Sequence, residues 1–341
     1  MPAQRLPRPV IVGLPGTVLQ PATADALSAL DPLGVILFAR NIEAPDQLAA
    51  LTASVRAALG RADAPVLVDQ EGGRVARLKG NQFRHPPAAR KFGQLWDADP
   101  RAAVRAAFLN ARLMAHELRA VGIDVDCAPV CDVPAAGAHD VIGDRAFHHD
   151  PRVVAALSRA TARGLLAGGV QPVMKHVPGH GRARADSHLE LPVVEVGEAE
   201  LDRDAVPFRA LAAIAPWAMT AHVLYLALDA AHCATLSAPV IAGAIRRRIG
   251  FHGVLVSDDL QMKALSGTIG ANAAAALGAG CDLVLECGPG PESWPDLARL
   301  APMRAASWRR LARARRMAAR AFRPFDPADA AAEVSAALAR V

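Results

Sequence analysis

Aromatic residues are scarce in this chain of 341 residues: they make up 4%, with Tyr225 the single tyrosine. Lysine stands only at Lys79, Lys91, Lys175 and Lys263, so arginine supplies most of the cations behind a net charge of +5. A nucleic-acid footprint would need a basic cluster interleaved with aromatics. The arginines are instead spread over many helical patterns, so no nucleic-acid partner is expected. Cysteine stands at five positions, Cys127, Cys131, Cys233, Cys281 and Cys287, with no CxxC pair. An odd count without paired spacing argues against a disulfide framework and for buried thiols in a reducing compartment. No apolar run approaches membrane-spanning length. The opening MPAQRLPRPVIVGLPG has prolines where a signal peptide needs an apolar stretch. A cytoplasmic protein with no membrane partner is the expectation.

What the chain does have is 52% hydrophobic and 21% charged residues, enough for a sizeable core. Short apolar runs alternate with longer helical patterns. The runs are PVIVGL from Pro9, GVILFA from Gly34, PVLVDQ from Pro65, IDVDCAPV from Ile123, QPVMKH from Gln171, WAMTAHV from Trp217, GVLVSDD from Gly253 and DLVLECG from Asp282. Helices are expected over Pro45–Leu59, Pro100–Val121, Pro151–Ala167, Pro239–Arg248 and Ile269–Leu277, several opening on a proline suited to the first turn. Apolar strands alternating with helices imply a parallel sheet covered on both faces. Eight of them predict an α/β fold, a single (β/α)8 TIM-like barrel over residues 1–341, with a doubly wound open sheet as the alternative. From about residue 301 the chain becomes an arginine-rich helical segment, expected to lie on the surface with a solvated face.

A barrel places its chemistry at the C-terminal ends of its strands. Polar residues gather there: Asp69 and Glu71, Lys175 and His176, His222, and Asp258 and Asp259. Asp144 and Arg145 stand between the fourth and fifth runs. The stretch KHVPGHGRARADSH (175–188) holds three histidines, a lysine and an aspartate on a backbone broken by Pro178, Gly179 and Gly181. A metal site is the obvious reading of His176, His180, Asp186 and His188. The V-P-G between His176 and His180 prevents a helical i, i+4 pair, and no HExxH occurs, so no metal is expected. Asp186 and His188 are two apart, so in an extended segment their side chains share one face. Asp186 could then fix the tautomer of a proton-transferring imidazole; a surface D-S-H turn is the plainer reading. For Lys175 the choice is between donating to substrate hydroxyls and a salt bridge to a strand-end carboxylate. Asp258 and Asp259 could cap a helix over LQMKAL, or Asp258 could face the barrel mouth as a nucleophile while Asp259 caps.

Together these residues resemble the bacterial β-N-acetylglucosaminidases of glycoside hydrolase family 3, the NagZ type. The matching segments are GVILFARN (34–41), VDQEGGRVARL (68–78), VIGDRAF (141–147), KHVPGHG followed by DSH (175–188), and SDDLQM (257–262), in the family's order. Val177 stands where phenylalanine is common in the family, and Cys131 where an aliphatic residue is usual; neither change touches a reacting group. The resemblance implies Asp258 as catalytic nucleophile, and His188 as general acid/base oriented by Asp186 on a mobile loop. It implies Asp69, Arg77, Arg145, Lys175 and His176 as the sugar-binding set. His180 is expected to support the loop by hydrogen bonds.

The implied activity is retaining, exo-acting removal of N-acetylglucosamine. The implied substrates are peptidoglycan fragments, N-acetylglucosamine linked to 1,6-anhydro-N-acetylmuramic acid with or without peptide, in cell-wall recycling. No cofactor is implied. A carbohydrate (muropeptide) is the one expected partner of a monomer or weak homo-oligomer. Retaining glycosidases usually carry two carboxyl groups about 5 Å apart; here a histidine–aspartate pair replaces the acid. A neutral histidine base would not repel phosphate, so a phosphorylase is a second possibility. A sugar-binding protein without catalysis is a third, and it predicts loss of Asp258, Asp186 or His188; all three are present.

Overall fold

In the computed structural model, which describes residues 6–341, each apolar run read from the sequence supplies one strand of a closed parallel barrel. The first five residues of the proline-bearing N-terminal stretch lie outside the described residues. The strands are β1 (Arg8–Gly13), β2 (Pro32–Leu37), β3 (Val66–Val68), β4 (Val125–Asp126) and β5 (Gln171–Val177), with β7 (Trp217–Thr220), β9 (Val254–Asp259) and β10 (Leu283–Glu286) completing the ring. Two further short strands, β6 (Val193–Val194) and β8 (Leu224–Tyr225), pair with each other outside it. Pairing of β1 with β10 closes the ring and rules out the open doubly wound sheet.

Alternation along each strand builds two cores. Ile11, Leu67, Val125, Val173, Val254 and Leu283 belong to a cluster that draws on all eight strands and fills the barrel. Their neighbours Val10, Val12, Val66, Val68 and Leu255 join the cluster shared with the outer helices. Those helices include Pro45–Ala58, Pro100–Ala120, Pro151–Ala167 and Ile269–Ala279, within a residue or two of expectation. Pro45, Pro100 and Pro151 each sit in the first turn, and the Asp99 and Asp150 carboxylates cap two of these helices.

Three local expectations are corrected. The segment 260–267 after β9 forms turns, not a helix: Asp259 accepts from Gln261 N–H and, across the barrel rim, from Cys287 N–H, which ties it down as a turn. Val240–Arg248 is helical but wound in the wider π form. The arginine-rich helix, Ala305–Ala321, is not merely a solvated surface element. Its Leu311 and Ala314 join the cluster inside the barrel. Its Arg310 and Ser307 reach the buried Asp282 carboxylate at 2.7 and 2.6 Å, which also accepts from Arg246 at 2.9 Å. This helix therefore plugs the N-terminal end of the barrel and leaves the C-terminal end open. All five cysteines are unbridged. No described helix is long and apolar enough to cross a membrane.

Candidate active site

The C-terminal end of the barrel opens into a pocket of about 170 Å³. Seven of the eight site residues expected from the sequence line it: Asp69, Arg77, Arg145, Lys175, His176, His188 and Asp258. Asp186 does not line the pocket and reaches it only through His188.

One wall is a charge network built on β3 and β5. Lys175, 2% exposed, extends from β5 and places Nζ 2.7 Å from both Asp69 Oδ1 and Glu71 Oε1. Arg77 bonds Asp69 Oδ2 at 3.1 Å. Arg145 grips Glu71 with two hydrogen bonds of 2.8 Å. The salt-bridge reading of Lys175 is thus realised, and the lysine lies on the pocket wall as well. Burial pushes the Asp69 and Glu71 carboxyls up, but Lys175 and the two guanidiniums outweigh it and hold both well below the usual range. The two carboxylates likewise outweigh burial and raise Lys175. Asp69, Glu71 and Lys175 are therefore charged at neutral pH, and the two acids preorganise the cations they bond.

The floor is built on Asp132, a fully buried residue after β4. Its Oδ2 bonds His176 Nδ1 at 2.7 Å, and its Oδ1 accepts from His180 N–H at 2.7 Å and His176 N–H at 3.3 Å. Burial raises this carboxyl, but the imidazoles and the N–H donors leave it lowered on balance. A carboxylate on Nδ1 makes that nitrogen the protonated one, so His176 presents Nε2 as its free ring nitrogen.

Asp258 ends β9 half-buried, its Oδ1 accepting from the N–H of Asp259 at 2.8 Å. Burial alone would raise its carboxyl; His176, His222, the Asp259 N–H and Lys175 outweigh this and keep it below its ordinary value. Asp259 beside it is pushed up to about 6 by burial, against the Gln261 and Cys287 N–H donors. Both carboxyls line the pocket, and Asp259 holds a turn in place of the helix it was expected to cap. His222 is buried, bonded to Thr235 Oγ1 at 2.7 Å and to the Asp259 carbonyl at 2.9 Å.

In the turn after β5, His188 Nδ1 lies 2.7 Å from Asp186 Oδ1, which also accepts the His188 N–H at 2.9 Å. The local backbone is a turn, not the extended stretch whose alternation suggested the pairing. The turn brings the two side chains together through the shared carboxylate oxygen. Burial tends to raise the Asp186 carboxyl, but the His188 N–H and imidazole leave it lowered. The His188 side chain is 63% exposed. Of the four residues considered for a metal, His176, His180 and His188 line the pocket, and each is engaged by hydrogen bonds: His176 by Asp132, His180 by Asp132 and Ser187, and His188 by Asp186.

Sequence reasoning did not single out Asp132 or assign Glu71 a part in the site. Glu71 carried a signal, standing two residues after Asp69 at the same strand end. Asp132 carried none, because its partners lie more than 40 residues away in sequence.

This geometry can be set beside known proteins. The family model described as "Glycosyl hydrolase family 3 N terminal domain" matches residues 18–302. A Bordetella parapertussis protein named Beta-hexosaminidase is 46% identical over 299 residues, spanning 86% of this chain and 82% of its own. Its Chromobacterium violaceum namesake is 44% identical over 302 residues, spanning 87% and 84%. The crystal structure of NagZ from Neisseria gonorrhoeae in complex with N-trifluoroacetyl-D-glucosamine superposes with a TM-score of 0.87 at 34% identity, covering 98% of this chain and 100% of that one.

Proposed function

The chain belongs to glycoside hydrolase family 3 and is a β-hexosaminidase, and from that premise we propose that it removes non-reducing terminal N-acetylglucosamine with retention, through a covalent glycosyl-enzyme. The observation that carries this reading is one pocket lined by both an ionised carboxylate, Asp258, and an imidazole held by a carboxylate, His188 with Asp186.

The chemistry follows from that arrangement. Asp258 attacks the anomeric carbon while His188, through Nε2, gives a proton to the departing oxygen. In the second half, His188 takes a proton from water as the water attacks the glycosyl ester, and Asp258 leaves as a carboxylate. Asp186 keeps Nδ1 protonated and stabilises the imidazolium. Asp69, Arg77, Arg145, Lys175 and His176 hold the sugar, their donors oriented in advance by Glu71 and Asp132. Preorganised charges of this kind cost no reorganisation at the moment of reaction.

The substrate we infer is a peptidoglycan fragment, N-acetylglucosamine joined to 1,6-anhydro-N-acetylmuramic acid with or without peptide, handled in the cytoplasm during cell-wall recycling. The whole chain acts as one catalytic domain, as a monomer or weak homo-oligomer. The helical segment from about 301 closes the barrel floor.

The test is release of p-nitrophenol from the β-N-acetylglucosaminide by wild type and Asp258→Ala, with EDTA and with phosphate, beside a muropeptide assay. Turnover that survives EDTA and vanishes in the variant supports the proposal. Sugar 1-phosphate formed in phosphate would move it to a phosphorylase. Full activity in Asp258→Ala would end it.

A further inference from the structure

Ser187 separates Asp186 from His188 and lines the pocket with His180 and His188. It is 3% exposed. Its Oγ lies 3.2 Å from Nε2 of His180, and its carbonyl accepts the N–H of Ala264 at 3.2 Å. Ala264 belongs to the turns that follow Asp258 on β9. The His180 N–H is fixed on Asp132, which also fixes His176. Within the 186–190 turn, the other hydrogen bonds are local: His188 to Asp186, and Leu189 and Glu190 N–H to the Asp186 carbonyl. Ser187 is thus the point at which the His188-bearing turn is fastened both to the sugar-binding floor and to the nucleophile's side of the mouth.

We propose that Ser187, received by His180, is a positioning residue: a latch that holds His188 in place at the pocket it lines together with Asp258. The proposal rests on the assignment of His188 as the acid/base. It gives His180 a function that needs no proton transfer. Burial pushes the His180 imidazole down to about 4, so it is neutral and serves as a fixed hydrogen-bonding partner. The other ring nitrogen, Nδ1, is buried with no hydrogen-bond partner among the described residues. The Ser187 hydroxyl is therefore the one bond this ring makes, and losing it strands the imidazole.

A latch and a plain structural hydrogen bond differ in what they move. Loss of the latch lets the turn open more often, so the acid is in place for a smaller fraction of encounters. The penalty then falls on substrates that need the acid and spares those that do not.

The experiment compares wild type, Ser187→Ala, Ser187→Thr, His180→Asn and His188→Ala on two β-N-acetylglucosaminides: one with p-nitrophenol as leaving group and one with an unactivated alkyl alcohol. Ser187→Ala is expected to lower kcat on the alkyl glycoside by about fivefold to tenfold, as one hydrogen bond allows. It should change kcat for the nitrophenyl glycoside less than twofold and leave KM unchanged. Ser187→Thr should restore most of the loss, and His180→Asn should follow Ser187→Ala. Amide hydrogen exchange should quicken over 186–190 in Ser187→Ala, with β5 as protected as before. Equal losses on both substrates, or unchanged exchange in the turn, would overturn the latch while leaving-group dependence in His188→Ala kept the acid/base assignment standing. If His188→Ala itself showed no leaving-group dependence, the assignment and the latch would fall together.

Discussion

His188 Nδ1 and Asp186 Oδ1 lie 2.7 Å apart, and the same carboxylate oxygen accepts the His188 N–H. The pair is thus one unit, and its variants should not add. Asp186→Ala and His188→Ala should each lower kcat on poor leaving groups by about 10²-fold or more, the range of general acid–base catalysis. The double variant should be no worse than His188→Ala, because the carboxylate acts only through the imidazole. A double-mutant cycle of kcat checks this; additive losses would mean that Asp186 acts separately.

Glu71 holds Arg145 with two bonds and shares Lys175 with Asp69. Glu71→Gln should therefore raise KM for N-acetylglucosaminides more than it lowers kcat, since what is lost is the hold on the cations proposed to bind the sugar. Steady-state kinetics with the nitrophenyl glycoside would show it. A fall in kcat at constant KM would contradict this assignment.

The same network makes stability depend on pH with a definite sign. The folded carboxyls of Asp69 and Glu71 lie below their ordinary values of 3.8 and 4.5. The stability this contributes is present above the unfolded values and is lost as pH falls through the folded ones. The gap in unfolding free energy between wild type and Glu71→Gln should be full at pH 7 and narrow below about pH 4. Denaturant melts along that series measure it, and a gap unchanged down to pH 3 would refute the network's role.

Asp282 is the matching test of the barrel floor. Its buried carboxylate joins Arg246, Arg310 and Ser307 beneath β10. Asp282→Ala leaves two guanidiniums without their partner and should cost about 3 kcal/mol of stability. Urea unfolding reads the loss. KM should not move, because the active-site pocket is at the other end of the barrel.

These contacts also show what was legible in the chain. The eight strands could be read because buried parallel strands are continuous apolar runs, and four of the pocket residues because they stand at the ends of those runs, whereas Arg77, Arg145 and His188 stand off the strand ends and were assigned to the site through the family resemblance. Asp69, Lys175, His176 and Asp258 needed no more than that. The D-S-H contact was foreseen for the wrong local reason: a turn, not an extended strand, brings Asp186 to His188. LQMKAL has the composition of a helix, yet Asp259 binds two N–H groups that hold it as turns. The arginine-rich tail read as solvated because no local pattern reveals that Arg310 meets Asp282. Asp132 was invisible for the same reason, since its bonds are to residues brought near only by barrel closure.

The most direct test of the central claim is to trap the glycosyl-enzyme. A 5-fluoro N-acetylglucosaminyl fluoride slows the second step more than it slows the first, so the ester accumulates. Mass spectrometry of a peptide digest should then find the added sugar on the peptide containing Asp258, and on none in Asp258→Ala. Full turnover with no sugar on that peptide, or a label on another carboxylate, would contradict the account.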